Sequence, residues 1–282
     1  MIMSKHIVCL TCDFDAISGF ISRGQTTPGW ISRGEFGPRV GAPRLLALFA
    51  KYAIQTSWYV PGHTIETFPD AVKKVVDAGH EIAHHGWTHR PPASLTRDQE
   101  EAELVRGNEA IRKISGRYAR GYRSPSWDLS PHSVELMLKH GFVYDSSMMG
   151  DDYTPYYARQ GDVIELEQVP TFGEPSALVE MPIHWSTDDS PHFEFVRTAE
   201  SVRQGLKSAR SVEQNWLNDF LYMRTAVEWG VLTYTCHPFI IGRGHRIMML
   251  ERLIRRMKDE GAVFQRIDET VQEFRQRSAV PA

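Results

Sequence analysis

The chain has 282 residues, of which 41% are hydrophobic and 24% charged, with a net charge of −3 at neutral pH. That balance belongs to a globular protein with room for one large α/β domain or two smaller ones. It argues against a basic nucleic-acid-binding surface, and no apolar run approaches the length of a membrane-spanning helix. The stretch Met1-Ile2-Met3-Ser4-Lys5-His6 leads straight into a strand-like run with no signal-peptide pattern, and three cysteines cannot build a disulfide framework. A cytoplasmic location is the expectation.

His6 to Cys12 is a nearly continuous apolar run, as expected of a strand buried on both faces, and it ends in Asp13-Phe14-Asp15. Cys9 and Cys12 form a C-x-x-C within it. Residues three apart in an extended chain point to opposite faces, so these read as core cysteines and not as a redox or zinc pair. Cys236 reads the same way. Ala16 to Gly41 is rich in Gly, Ser and Arg without clear periodicity and is expected to be a long loop. Arg23, Arg33 and Arg39 in it read as solvated charges, with contact to an anionic substrate or a neighbouring subunit as the alternative.

Arg44 to Tyr52 suits an amphipathic helix and Thr56 to Val60 a second strand, with His63 just past its Pro61-Gly62 end. Pro69 to Ala78 suits a helix stopped by Gly79. Glu81-Ile82-Ala83 is a short third strand, with His80 before it expected to make a structural hydrogen bond. It runs into His84-His85-Gly86-Trp87-Thr88-His89. Histidines four apart share a face if the segment closes one helical turn, and two imidazoles there can reach one divalent ion. Gly86 permits a sharp turn and Pro91-Pro92 stop any helix, so this is a strand-end loop. His84, on the opposite side of the extended chain, is assigned to packing or to support of the neighbouring ligand.

Thr96-Arg97-Asp98-Gln99 is a capping box opening a helix to about Ile114. Gly121-Tyr122-Arg123 is a short strand, and Ser130-Pro131 is expected to cap a helix ending at His140-Gly141. Met148 to Gly173 reads as an excursion. Ala177 to Ile183 recovers a strand, followed by Trp185 and Asp188-Asp189. A helix over Val212 to Trp229, a buried strand Val231 to Cys236 ending in His237, a helix from His245 to Glu260, Val263-Phe264 and a last helix from Asp268 complete the chain. Strands alternating with helices imply βα units and a mostly parallel sheet, in which polar groups at strand carboxyl ends form the site. Asp13, Asp15, His85, His89, Arg123, Trp185, Asp188 or Asp189, and His237 all fall at such ends.

The series Asp13-Phe14-Asp15, His85-Gly86-Trp87-Thr88-His89, Gly121-Tyr122-Arg123-Ser124-Pro125 and Thr235-Cys236-His237-Pro238 resembles the ordered motifs of the polysaccharide deacetylase family. With Arg33 to Gly37, it is most similar to a branch holding peptidoglycan deacetylases and cyclic-imide and allantoin hydrolases. The resemblance implies a single-domain distorted (β/α) barrel over residues 1–282 and an amide hydrolase. It implies Asp13 as general base, with Asp15, His85 and His89 as ligands of a divalent metal, zinc being expected. His237 would be the general acid, with Arg123 orienting the base through a bidentate pair. Trp87, Ser126, Trp185 and Asp188 are the expected substrate pocket. Two departures stand out: Phe14 separates the aspartates, and Ser126 replaces a common tyrosine, leaving a backbone N–H for an oxyanion hole. The expected partner is a small-molecule or glycan amide, and a family habit of closed assemblies implies a homo-oligomer. Three functions follow: N-deacetylation of amino-sugar glycans, hydrolysis of a cyclic imide or ureide, or a silent carbohydrate-binding barrel.

Overall fold

The computed structural model describes residues 4–198 and 201–279. Its main sheet is built on β1 (Lys5–Asp13), β2 (Ser57–Val60), β3 (Glu81–His84), β4 (Gly121–Tyr122), β5 (Tyr144–Asp145), β6 (Tyr156–Gln160) and β7 (Glu174–Glu180). A small hairpin of β8 (Val196–Arg197) and β9 (Val202–Arg203) follows, then β10 (Trp229–Cys236) and β11 (Val263–Phe264). The nine-stranded sheet runs β10-β1-β2-β3-β4-β5-β7-β6, with β11 alongside β1. Every pairing is parallel except β6 against β7. Past β7 the chain returns beside β10 through a parallel bridge between Asp188 and Thr235. The sheet thus curls toward closure at its carboxyl end, which is the distorted (β/α) barrel expected.

Alternation along β1 divides the core in two. Val8, Leu10 and Cys12 face the outer helices, whereas Ile7 and Cys9 face inward to Tyr59, Ala83, Tyr144 and the C-terminal helix residues Ile267, Val271 and Phe274. Cys9 and Cys12 therefore lie on opposite faces, both free and buried. The same alternation turns Thr11 and Asp13 inward above Cys9, so the first strand's pleat fixes where the first acid points.

Several boundaries differ from expectation. Residues 16–41 are mostly helical, including Pro28–Phe36 and a wide turn over Gly37–Gly41 leading into Ala42–Lys51. Pro28 opens a first turn that needs no N–H, and the glycines mark close approach instead of loop freedom. A Cβ at Gly34 would meet the Ala16 carbonyl at 2.6 Å, and one at Gly41 the Pro238 carbonyl at 1.9 Å. The expected excursion contains the β6 strand, paired to β7 as a hairpin edge. The Ser130-Pro131 helix starts only at Ser133, because the Ser130 hydroxyl accepts the His132 N–H in a preceding turn. The long helix ends at Ala226, and Trp229 already belongs to β10. Thr96 and Gln99 do form the reciprocal cap of Arg97–Ser115. No helix among the described residues is long and apolar enough to cross a membrane.

At the barrel's amino end, Glu81 is buried with its carboxyl accepting bonds from Ser57, Tyr144 and the Asp268 N–H. Burial, with the nearby Asp268 charge, pushes it up to about 7 against the pull of those hydrogen bonds. The folded chain thus holds a proton the unfolded chain has released, and stability falls as pH rises from the ordinary carboxylate range toward 7. Asp145 and Glu180, buried as neighbours on β5 and β7, act in the same direction. Glu81→Gln should flatten the slope without abolishing it. Urea melts at pH 5 and pH 7.5 measure this, and a slope equal to the parent's would contradict the assignment.

Candidate active site

Asp13 ends β1 and Asp15 follows within the turn that Thr64 and Ser18 close by donating to its backbone carbonyl. His85 follows β3, and the chain then turns at Gly86, whose φ is +70°, to bring His89 back with φ of +61°. No helical turn forms. The two imidazoles nonetheless converge, with ring centroids 4.9 Å apart. Glu103 fastens the loop by accepting the Trp87 and Thr88 N–H groups and the Thr88 hydroxyl.

The donor set of Asp15, His85 and His89 is buried, with one ligand atom from each within 4.8 Å of the others. His85 Nδ1 lies 2.7 Å from the Arg123 carbonyl. A carbonyl only accepts, so Nδ1 carries the proton and Nε2 presents a lone pair. That lone pair faces Asp15 Oδ1 at 3.5 Å and Asp13 Oδ2 at 3.9 Å. Burial holds His85 down at about 4, so at neutral pH the ring does not supply the missing positive charge. Asp15 Oδ1 is buried with no hydrogen-bond partner, and Asp15 Oδ2 lies 3.3 Å from His89 Nε2. Burial raises the Asp15 carboxyl, but His89, His237 and His85 together outweigh it and hold it below the usual carboxylate range. A lone pair turned toward an unpartnered carboxylate oxygen, with a second imidazole nitrogen beside the other oxygen, fits a cation, and two imidazoles with one carboxylate are a suitable set.

Arg123 is fully buried. Its Nη1 donates to Asp13 Oδ1 and to Thr11 Oγ1, each at 2.8 Å, while Nε and Nη2 bond the Ser146 carbonyl and hydroxyl at 2.9 Å. The expected bidentate pair is therefore not what forms: Asp13 receives one bond, and the rest of the fork is spent on Thr11 and Ser146. The guanidinium lies over the Tyr59 ring at 4.0 Å.

His237 closes β10 on the opposite side, with Nε2 3.8 Å from Asp15 Oδ2. Asp189 grips it twice, accepting from Nδ1 at 2.7 Å and from the His237 backbone N–H at 2.9 Å. Burial lowers the imidazole, but Asp188 and Asp189 drive it well above the ordinary histidine range. Asp188, Asp189 and His237 form a second acidic cluster within metal-ligand reach. Here, however, the Asp189 hydrogen bond already occupies Nδ1 and leaves Nε2 toward the cleft, which suits acid–base work. Asp189 entered the sequence reading only as an alternative to Asp188. The missing signal was register, because only the bridge beside Thr235 shows which acid meets His237.

A cleft of about 440 Å³ opens above these groups, lined by Asp13, Asp15, His85, His89, Asp188 and His237, and by Ser126, Trp127 and Trp185. Ser126, Trp185 and Asp188 are where they were expected. Trp87 is not: it is buried in the core against Gly62 with Arg106 over its ring, outside the cleft. Trp127 takes its place, stacked on Trp185 with centroids 4.1 Å apart. Left-handed backbone at Ser126 (φ +59°) and Trp127 (φ +54°) turns that wall inward. Among the other histidines, His80 accepts the Thr56 N–H, His84 packs with Nε2 near the Leu104 carbonyl, His63 lies outside the cleft, and His245 is exposed at a helix start.

The sequence model described as polysaccharide deacetylase matches residues 35–144. A peptidoglycan deacetylase of Helicobacter pylori is 37% identical over 98% of this chain and 99% of its own. Among solved structures, a putative polysaccharide deacetylase from Mycobacterium smegmatis superposes with a TM-score of 0.86 at 29% identity, covering 97% of this chain and 91% of that one. An allantoinase shares the fold with a TM-score of 0.80 at 19% identity, over 99% and 93% of the two chains. The fold and the cleft define a (β/α)-barrel hydrolase of non-peptide carbon–nitrogen bonds. The chain belongs to the polysaccharide deacetylase family, whose members are metal-dependent.

Asp189 meets the reaction only through His237. Asp189→Asn should lower kcat about 10²-fold or more, the scale of a lost acid–base contribution, while retaining bound metal. Steady-state kinetics with metal analysis of the same sample checks this; an unchanged kcat would remove Asp189 from the machinery.

Proposed function

We propose that this protein is a metal-assisted N-deacetylase of amino-sugar glycans of the peptidoglycan type. The observation that carries the reading is the three-sided cleft: the Asp15-His85-His89 donor set on its floor, Asp13 held by Arg123 on one side, and His237 held by Asp189 on the other. A divalent cation, with zinc as our choice, would be held by Asp15, His85 and His89 and would supply Lewis acidity to the amide carbonyl and to water. Asp13 is the general base: its Oδ2 faces the floor while Oδ1 is tied to Arg123, so it takes a proton from water without rotating. His237 is the general acid: Asp189 on Nδ1 leaves Nε2–H pointing into the cleft, where it protonates the leaving nitrogen. The stacked Trp127–Trp185 wall offers a flat apolar face to a sugar ring, and Ser126 edges the same wall.

A cyclic imide or ureide is the second reading. The β8–β9 hairpin favours it, since Val196, Thr198, Ser201 and Arg203 line the cleft from above and narrow it toward a compact substrate. We further propose a cytoplasmic homo-oligomer. Free, buried Cys9, Cys12 and Cys236 suit a reducing compartment, and exposed Val163, Ile164, Leu166, Val169 and Phe172 on the β6–β7 connection suit burial against another copy.

One panel separates the readings: acetate release from N-acetylated amino-sugar oligosaccharides beside ring opening of succinimide, hydantoin and allantoin. Acetate release is expected; ring opening alone would move the assignment to the second reading, and binding without hydrolysis would leave a carbohydrate-binding barrel. For the metal, His85→Ala should lose bound zinc and activity together. Full-rate hydrolysis by metal-free His85→Ala would refute the floor's role.

A further inference from the structure

Two buried acids, Asp145 and Glu180, take no part in the chemistry of the cleft. The strand register lays Tyr122, Asp145, Glu180 and Tyr156 side by side across β4, β5, β7 and β6. Tyr144, Val179 and Met181 beside them face the inner core, so the two acids point to the opposite, helix-covered face. Both are fully buried. The register flanks them with phenols, which burial keeps neutral, and not with cations. The Arg123 fork is spent on Asp13, Thr11 and Ser146 and donates to neither acid.

One oxygen of each acid is well partnered. Asp145 Oδ1 accepts the Ser147 hydroxyl at 2.7 Å, and Glu180 Oε1 accepts the Ser147 and Met148 N–H groups, each at 2.9 Å. The other two oxygens, Asp145 Oδ2 and Glu180 Oε2, are buried with no partner of their own, while the two carboxyl groups lie within hydrogen-bond reach of each other. Like charges so close in a dry site drive one carboxyl to keep its proton. A single proton between the two free oxygens gives both a partner. Burial lifts both groups, and the Asp145 charge lifts Glu180 well above the usual carboxylate range. Asp145 reaches only about 6, because hydrogen bonds from Glu180 and Ser147 and the Arg123 charge pull against its burial. The proton therefore belongs on Glu180.

Ser147 connects this pair to the cleft. Its hydroxyl, donating to Asp145, accepts the Ser124 N–H at 2.8 Å. Ser124 in turn closes the wall's turn, its hydroxyl bonding the Asp128 carbonyl at 2.9 Å and its carbonyl accepting the Trp127 N–H at 3.0 Å. That turn carries the left-handed Ser126 and Trp127 and stacks Trp127 on Trp185. We propose that Glu180 and Asp145 share one proton, donated by Glu180 Oε2 to Asp145 Oδ2, and that this acid pair positions the Ser124–Trp127 wall of the cleft through Ser147. Neither acid lines the cleft, so both are positioning residues. Without the proton, two negative charges push apart, and Ser147, anchored to both, releases Ser124. The role holds whichever amide the cleft accepts.

Two spectra of the full chain read the proton and the wall separately, and neither needs a substrate. At neutral pH, the infrared difference between the parent and Glu180→Gln should contain a protonated-carboxyl carbonyl band that shifts in heavy water and is absent from the variant. Subtraction removes the bands of other protonated acids such as Glu81. Glutamine still accepts from Ser147 and Met148 and offers an N–H to Asp145 Oδ2. The near-ultraviolet circular dichroism of the stacked Trp127–Trp185 pair, identified with Trp127→Phe, should therefore persist in Glu180→Gln. Ser147→Ala should do the reverse, keeping the band and losing most of the tryptophan signal. In turnover, Ser147→Ala should raise KM about 10-fold with kcat within about 2-fold, since it loosens a wall and leaves Asp13 and His237 in place. Glu180→Gln should stay near the parent. No lost band in Glu180→Gln, or an intact tryptophan signal or unchanged KM in Ser147→Ala, would overturn the proposal. Glycan binding without hydrolysis of any amide would sink the deacetylase reading instead, with the two spectra still deciding this one.

Discussion

Arg123 is the residue on which both halves of the cleft floor depend. Its side chain, with no exposure to solvent, holds Asp13 in place from below. Its main-chain carbonyl accepts the His85 Nδ1 proton and so fixes the tautomer that turns a lone pair toward Asp15. One position at the end of β4 therefore sets Asp13, the proposed base, and orients a donor of the candidate cation site. Burying a guanidinium is costly unless its N–H groups and its charge are met. Thr11, Asp13 and Ser146 meet four donations, and the Asp13 charge, outweighing burial, helps keep the group protonated. Leaving Asp13 buried without Arg123 would strand a carboxylate among other carboxylates.

The acid side is built on the opposite principle. His237 is kept charged by two neighbouring aspartates where Arg123 neutralises one, and Asp189 bonds both ring and backbone, so the side chain and the end of β10 are positioned together. Asp188 takes a different part. It caps the Ser190 N–H at 2.6 Å and faces the cleft. Neighbours in sequence thus divide between holding His237, the proposed general acid, and lining the cleft. That division rests on the bridge that lays the chain after β7 beside Thr235, the same bridge that brings the two ends of the curled sheet together. Closing the barrel and loading His237 are one structural event.

Much of this was legible in the sequence, because period-two alternation and strand-end position are local properties. The inward set Cys9, Thr11, Asp13 follows from one strand's pleat, and His85 and His89 from a glycine turn after another. The parts that were not legible depend on contacts between distant segments. Gly34 and Gly41 looked like loop residues, but they are glycines because the Ala16 and Pro238 carbonyls sit where side chains would be. Trp87 and Trp127 are indistinguishable as isolated aromatics near motif residues, and only the left-handed turn at Ser126 decides which faces the cleft. The shared fork of Arg123 was hidden likewise, since Ser146 comes from β5's end and could not be placed without the sheet order.

The same sheet order explains why so polar a floor can sit over an apolar barrel. Below Arg123 lies the Tyr59 ring; its hydroxyl donates to Tyr144 at 3.4 Å, and the Tyr144 hydroxyl donates to Glu81 at 2.8 Å. Glu81 in turn meets Ser57 and the start of the C-terminal helix. The inward faces of β2, β3 and β5 thus carry a polar column down the barrel axis, flanked by the Ile7, Cys9, Val179 and Val271 packing. Such a column gives each buried polar group a partner without admitting bulk water, keeping the effective dielectric under the floor low. A low dielectric sharpens every charge contact above it: Asp13 with Arg123, Asp189 with His237, and the histidine pair with Asp15. The tyrosines and Glu81 touch no reacting atom, yet they allow a fully buried guanidinium to sit directly beneath the chemistry.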